Sequence, residues 1–179
     1  MYSPLLLRKA TVADLDLIME MERAGFAAGD SEAREVYAHR IAHFPQGSLM
    51  AMCGDRVAGC LFAEIWADEA ALVAADFALG HDIRARHVPT GRVLYIASMT
   101  LMPAFRGRGL GGELLESGIA HIMTRHPQLR EALLLVNETW TFARRIYTAA
   151  GFTECGRLPG FFQPDAHTAQ DGIVMRRLR

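Results

Sequence analysis

Residues 103–112 read PAFRGRGLGG, with glycine at 107, 109, 111 and 112 and arginine at 106 and 108. The run lies between two segments of different period. Residues 92–102 are rich in β-branched and aromatic side chains and read as a strand, whereas Leu110, Leu114, Leu115, Ile119 and Ile122 recur at helical spacing to about residue 125. A short apolar run, 132–136, follows. Strand, tight turn, helix and strand make a β-α-β crossover and hence a parallel pair. Glycine is costly to order, so a cluster marks a turn with positive φ or a close approach of the backbone to something else. A helix that starts near Gly109 also leaves its first amides without intrahelical partners, at the positive end of its dipole. With Arg106 and Arg108 beside it, this turn is built to meet an anion.

The rest of the chain constrains what that anion belongs to. At 179 residues, 51% hydrophobic and 22% charged, residues 1–179 suit a single globular domain with a substantial core. The 19 basic residues nearly balance the 20 acidic ones, so no global cationic field draws in nucleic acid or acidic lipid, and the anion site is local. Three cysteines, Cys53, Cys60 and Cys155, have no C-x-x-C spacing, which argues against a disulfide scaffold or zinc knuckle and suits a reducing cytoplasm. Three leucines near the start are too few for a signal core or a membrane span, and read as a first strand.

Thr11 followed by Asp14 resembles a capping box and opens a helix over 11–24; Ser31 is positioned to cap a second over 31–43. Residues 48–53 and 56–66 form a hairpin around Gly54-Asp55. An Ala-rich stretch, 68–79, reads as helix, and 81–91 as an exposed loop that can shape a substrate mouth. Thr139 caps a last helix that ends at Gly151, and strands over 152–156 and 172–178 close the chain. The expected fold is α/β with a mixed, mostly antiparallel sheet, a central parallel pair and flanking helices.

Two cofactor classes fit the glycine turn. Gly107, Gly109 and Gly112 satisfy G-x-G-x-x-G, but a dinucleotide fold places this turn after its first strand and an acidic residue after its second. Here several strands come first, and Glu131 precedes the next strand. The stretch Arg106-Gly107-Arg108-Gly109-Leu110-Gly111 instead resembles the pyrophosphate motif of the GNAT superfamily of acetyl-CoA-dependent N-acetyltransferases. Pro103 and Phe105 before it, and Ala143, Tyr147, Gly151 and Phe152 after it, match the same family. The resemblance is specific over 92–178 and implies a GNAT-like acyl-CoA N-acyltransferase fold whose central strands splay, with a coenzyme-binding core over about 92–152. It implies that the backbone of Met99, Thr100 and Leu101 pairs with the pantetheine arm of acetyl-CoA, that Arg106, Gly107, Arg108, Gly109, Leu110 and Gly111 hold the pyrophosphate, and that Tyr147 protonates the departing sulfur. It further implies a cytoplasmic enzyme, often dimeric, that acetylates a small-molecule amine or a peptide N-terminus.

Acyl transfer to an amine requires a neutral nitrogen, a polarised carbonyl and a proton for the thiolate. A tyrosine with an ordinary pKa near 10 keeps its proton at neutral pH and suits the last role. For the base, Glu64 shares a strand face with Cys60, Phe62 and Trp66, where desolvation would raise its pKa; a carboxylate snorkelling from a strand end is the alternative. Tyr95 and Ala97 stand where arylalkylamine acetyltransferases carry two histidines, and Leu135 where ribosomal-protein alanine acetyltransferases carry a carboxylate, so neither relay transfers. Asn137 either touches the pantetheine or ends its strand. His39 and His43 lie four apart but lack further ligands, so no metal site is expected. His81 and His87 face substrate or water. Phe161, Phe162 and Trp66 suit an apolar acceptor pocket or the core. An acceptor of lower pKa than lysine fits the lack of a clear base, and a coenzyme-sensing module without turnover is the competing reading.

Overall fold

A computed structural model describes residues 4–67 and 73–179. Among these, seven strands form one sheet in the order β1-β2-β3-β4-β5-β7-β6. They are β1 (Leu6–Lys9), β2 (Ser48–Cys53), β3 (Arg56–Trp66), β4 (Val93–Leu101), β5 (Glu131–Asn137), β6 (Thr153–Asp165) and β7 (Thr168–Leu178). Only β4 and β5 run parallel, joined by α4 (Leu110–Arg125); every other neighbouring pair is antiparallel.

Alternation along the strands divides the core into two layers. Cys60 and Phe62 point to one face, where they pack with Leu15, Ile18 and Met21 of α1 (Leu15–Gly25) and Tyr37 and Ile41 of α2 (Arg34–His43). Leu61 points to the other face, onto Leu114, Leu115, Ile119 and Ile122 of α4, with α5 (Thr141–Ala149) beside it. Each fully buried Leu or Ile contributes about 1.5–3 kcal/mol. That outweighs the propensity cost of the glycines within α4, which its apolar stripe therefore holds in place.

Local chemistry explains where element boundaries depart from expectation. Thr11 and Asp14 do form a reciprocal capping box, but around a 3-10 turn, Val12–Asp14, ahead of α1. Ser31 does not cap α2: its hydroxyl donates to the Ala27 carbonyl (2.9 Å) and the helix starts at Arg34. Of the expected helix over 68–79, residues 68–72 lie outside the described residues, and the remainder holds a 3-10 turn, Ala74–Phe77. The expected loop contains a short helix, α3 (Ile83–Arg86), because the Asp82 side chain accepts the Arg84 amide (2.9 Å). Thr139 gives no cap to α5; its amide and hydroxyl both donate to Asn137 Oδ1.

One irregularity shapes the centre of the sheet. Phe62 pairs with Ser98, but the next residue, Ala63, pairs with Ile96, so Ala97 is an extra residue in β4. Such a bulge breaks the alternation and increases the local bend. The parallel pairing of β4 with β5 stops at Ile96 and Leu134, while β5 continues against β7 from Leu135 to Asn137. Beyond Ala97 the two central strands separate.

Candidate active site

A cavity of about 790 Å³ opens where β4 and β5 part. Its wall includes residues 95–101 of β4, Leu134 and Leu135 of β5, the glycine turn, and Ala143, Ile146 and Tyr147 of α5. The Met102 amide donates to the Ala58 carbonyl (2.9 Å), which fixes the phase of the strand. By alternation, the main chain of Thr100, opposite Cys60, turns toward β3, whereas that of Met99 and Leu101 turns into the gap. The Thr100 side chain lies against Gly25 at the end of α1.

At the far end of this open edge, Gly107 (φ +72°) and Gly109 (φ +78°) both take left-handed backbone, a conformation that costs any other L-residue energy. The double reversal sets Gly109 as the N-cap of α4 without any side-chain cap, so the first-turn amides of Leu110, Gly111 and Gly112 have no intrahelical acceptor. A side chain at Gly107, Gly109 or Gly112 would meet nothing within 4 Å, so the space over these amides is open. Leu110 itself points into the core, leaving only its backbone at the turn. Arg106 lines the cavity while its Nε donates to the Leu101 carbonyl (3.0 Å) and its Nη2 to the Ala24 carbonyl (3.1 Å). It thus ties the end of β4 to the last turn of α1, where carbonyls carry partial negative charge. Arg108 is exposed and lies outside the cavity wall.

Tyr147 projects from the apolar face of α5 with Ala143, Ile146 and Ala150. Its hydroxyl has no hydrogen-bond partner among the described residues, and burial pushes its pKa up to about 12. Asn137 is fully buried and outside the cavity wall. Its Oδ1 accepts from Thr139 and one N–H of its Nδ2 donates to Gln170 Oε1 (2.6 Å), so the amide closes the end of β5, away from the cavity wall.

Beyond the splay the cavity ends in buried charge. Glu64 does not have the raised pKa expected of a base. Burial acts to raise it, but the His81 hydrogen bond and the Arg40 charge outweigh that, and the net shift is downward. Arg40 Nε (3.2 Å), His81 Nε2 (2.9 Å to both oxygens) and Trp66 Nε1 (3.1 Å) all donate to it. His81 Nδ1 faces the Ala78 carbonyl (3.0 Å), so both ring nitrogens face acceptors and the ring is held as imidazolium, its pKa raised. Arg40 also donates to Glu32 Oε1 (3.2 Å). His87 is likewise no substrate group: its Nδ1 accepts the Ile65 amide (3.1 Å), and burial first, then the charge of His43, hold its pKa down at about 4.

Next to this cluster, Glu22 of α1 lines the cavity at 3% exposure, and desolvation raises its pKa. Tyr37 donates to Glu22 Oε2 (2.6 Å), and its single proton is thereby spent; the Ser98 hydroxyl, 3.2 Å from the same phenol oxygen, is then the donor in that contact. Ser98 reaches this face because of the bulge. Asp30, also in the wall, accepts the Gln163 amide (3.2 Å), and burial raises its pKa. Gly29 approaches the Gln163 carbonyl so closely that no side chain fits between them, and this clamps the α1–α2 connection over β6. Phe26, Trp140 and Phe162 form an aromatic bridge across the cavity, with ring centroids 5.4 and 5.3 Å apart. Phe161 lines the cavity too, whereas Trp66 stacks on Tyr95 (4.1 Å) outside the wall.

Residues 15–152 match the Acetyltransferase (GNAT) family. The chain belongs to that family. Its fold is also that of solved GNAT proteins. The loading GNATL domain of CurA from Lyngbya majuscula superposes with a TM-score of 0.80 at 15% identity, covering 97% of each chain. The GNAT-like decarboxylase GphF, in complex with isobutyryl-CoA, gives 0.80 at 19% identity, over 97% of this chain and 98% of that one. Arabidopsis thaliana Naa50, bound to a bisubstrate analogue, gives 0.70 at 17% identity over 97% of each. At these identities the likeness speaks to the GNAT fold alone.

The family motif pointed to the turn and to Tyr147 but not to the charged end of this GNAT cavity. Glu22 follows Leu15 and Ile18 on one helical stripe, and Arg40 lies between Tyr37 and Ile41 on another. A charge on an apolar stripe is the signal that would have found both. Among the described residues no helix is long and apolar enough to cross a membrane, and no His, Cys, Asp and Glu cluster could hold a metal.

Proposed function

We propose that this GNAT protein is an acetyl-CoA-dependent N-acetyltransferase that moves the acetyl group to a primary amine by direct attack on the thioester. One observation carries the reading: the open edge of β4 beyond Ala97 leads into the uncapped start of α4, within the cavity that also contains Tyr147. Acetyl-CoA has matching parts in the same order, an amide-bearing arm for an unpaired strand edge and a pyrophosphate for free helix amides. In this reading the main chain of Met99 and Leu101 receives the arm and Thr100 supplies wall. The backbone of 107–111 receives the pyrophosphate, with Arg106 bracing the loop and Arg108 adding charge at its rim.

The amine nitrogen attacks the thioester carbon, the C–N bond forms, the C–S bond breaks, and the thiolate takes the phenolic proton of Tyr147; the phenolate is then reprotonated from solvent as Glu22 returns the amine's proton to solvent, so the net products are the amide and the free thiol. A phenol held at about 12 is protonated at any ordinary pH and so is always ready to donate. Glu64 acts as a scaffold anion. The proton lost by the amine has its acceptor in Glu22, a carboxylate with raised affinity for protons that reaches the cavity directly and through Tyr37 and Ser98. Four carboxylates (Glu22, Asp30, Glu32, Glu64) against three cations (Arg40, His81 and Arg106, the last at the glycine-turn end) leave an excess of one negative charge, which favours the arrival of a positively charged amine.

The test is thiol release from acetyl-CoA across a panel of small amines and peptide N-termini. Release that depends on the amine and falls in Tyr147→Phe supports the enzyme; tight coenzyme binding without release to any acceptor would move the protein to the sensor class.

A further inference from the structure

We propose that Arg40 receives a neutral carbonyl oxygen of the acceptor, so that the preferred acceptor is an α-amino amide, as at a peptide N-terminus, over a plain amine or a free amino acid. The acetyl-transfer reading supplies the reacting amine; the contact with Arg40 stands on separate observations. Arg40 belongs to the cavity wall and is 1% exposed, so its Nη1 lies just behind the wall's surface. Its Nε and Nη2 are spent on Glu64 and Glu32, while Nη1 is buried without a hydrogen-bond partner among the described residues. A buried N–H of a charged group normally finds an oxygen, and an unmet one carries a desolvation cost. The surrounding side chains supply none. His81 offers two donors and no acceptor, Glu64 is saturated, Glu32 divides its oxygens between Arg40 and the Gly80 amide (2.8 Å), and Tyr37 presents its ring to the guanidinium at 5.7 Å.

The sign of the local charge selects among oxygens. Arg40 and His81 are already matched by Glu32 and Glu64; of the remaining wall charges, Glu22 and Asp30 outnumber Arg106, which lies at the glycine turn and donates to the Leu101 and Ala24 carbonyls, so a net negative charge is left. A carboxylate at Nη1 would add to an excess of negative charge; a neutral carbonyl would take the N–H and add none. The same excess favours an ammonium or amine alongside. A cationic nitrogen next to a neutral carbonyl oxygen is the pattern of an α-amino amide, and the aromatic walls at Phe161 and Phe162 suit its side chain.

The experiment uses the whole protein saturated with coenzyme A. Calorimetric titration compares three acetylated products with the same side chain, N-acetyl amino-acid amide, N-acetyl amino acid and the N-acetyl amine without the carboxyl carbon, in Gly, Ala, Met and Phe series. The amide is expected to bind at least about tenfold more tightly than either relative in at least one series, and Arg40→Lys is expected to reduce that ratio to about twofold or less. Acetyl transfer to the parent amines is measured in parallel. Equal binding of amide and amine in every series, tighter binding of the carboxylate, or an unchanged ratio in Arg40→Lys overturns the proposal. If Arg40→Lys fails to give a coenzyme-dependent thermal shift, the wild-type ligand series decides. Amide-selective binding with no transfer to any amine would leave the contact standing and remove the enzyme reading, whereas equal transfer to all three parents would do the reverse.

Discussion

Gly109→Ala separates what the glycine turn does for the fold from what it does for the ligand. Gly109 sits at φ +78°, where an alanine costs about 1–2 kcal/mol, and a Cβ there meets nothing within 4 Å, so no clash adds to that cost. Reduced freedom of the unfolded chain offsets about 0.4–1 kcal/mol, leaving a net loss of about 1 kcal/mol and, for a chain of this length, a Tm lower by roughly 2–4 °C. Gly54, in the β2–β3 turn at φ +60° with equally open surroundings, is an internal control: the same substitution there carries a similar backbone cost far from the cavity. The two differ in what lies above them. A methyl at 109 occupies the approach to the uncapped amides of Leu110, Gly111 and Gly112. Losing two such contacts at about 0.3–1 kcal/mol each weakens coenzyme A binding by about 0.6–2 kcal/mol, or roughly three- to thirtyfold in Kd. Scanning fluorimetry without ligand measures the first effect and calorimetry with coenzyme A the second. If Gly109→Ala binds coenzyme A as wild type does while losing the same stability as Gly54→Ala, the turn serves the chain trace alone and the pyrophosphate reading fails.

Tyr147→Phe is expected to lower kcat by about a hundred- to ten-thousandfold with coenzyme A affinity unchanged; because the phenol titrates only near 12, wild-type kcat should show no alkaline loss from this group below about pH 10, and an alkaline limb near pH 8–9 that disappears in the variant would contradict the assignment. Asp14→Ala removes both the capping box and the pair with Arg8 (2.6 Å), at a cost of about 1–2 kcal/mol by urea denaturation. Because those contacts lower the Asp14 pKa to about 2, against about 3.9 unfolded, the wild-type advantage should be complete above about pH 4 and shrink toward pH 2; a pH-independent difference would point to helix propensity instead. His81 has a raised pKa in the folded protein, so its pairing with Glu64 stabilises fully below the unfolded value of about 6.5 and is lost as pH rises through the folded one. The stability gap between wild type and His81→Gln is therefore expected to be wider at pH 6 than at pH 9, and the opposite order would remove the imidazolium from the cluster.

What could be read from the chain depended on how local the cause was. The β4-turn-α4-β5 crossover was legible because its determinants are contiguous: a strand-period run, left-handed glycines and a helix-period run within 92–136. The second helix start was misassigned because Ser31 satisfies its hydroxyl on a carbonyl four residues back, an option that propensity alone does not resolve. Glu64 shows the limit most clearly. Its strand face was read correctly, but the direction of its pKa depends on Arg40 and His81, 24 and 17 residues away in sequence, which only the packed α2 and the loop bring to it. The fate of Asn137 likewise depended on Gln170, on a strand formed later in the chain.

The extra residue at Ala97 links the two halves of the cavity. Before it, Tyr95 points toward the α2 face and Ile96 toward α4; after it, Ser98 and Thr100 point toward α1 and α2, and Met99 toward α4. Were Ala97 taken up in regular alternation instead of bulging, Ser98 would lie on the α4 face, away from Tyr37 and Glu22, and the main-chain edge of 98 and 100, in place of 99 and 101, would turn into the gap. The open strand edge proposed for the coenzyme arm and the Ser98–Tyr37–Glu22 chain proposed for the amine proton are therefore set by one backbone irregularity. Donor and acceptor ends cannot shift register independently, and the distance between them is fixed by the sheet itself rather than by the loops around it.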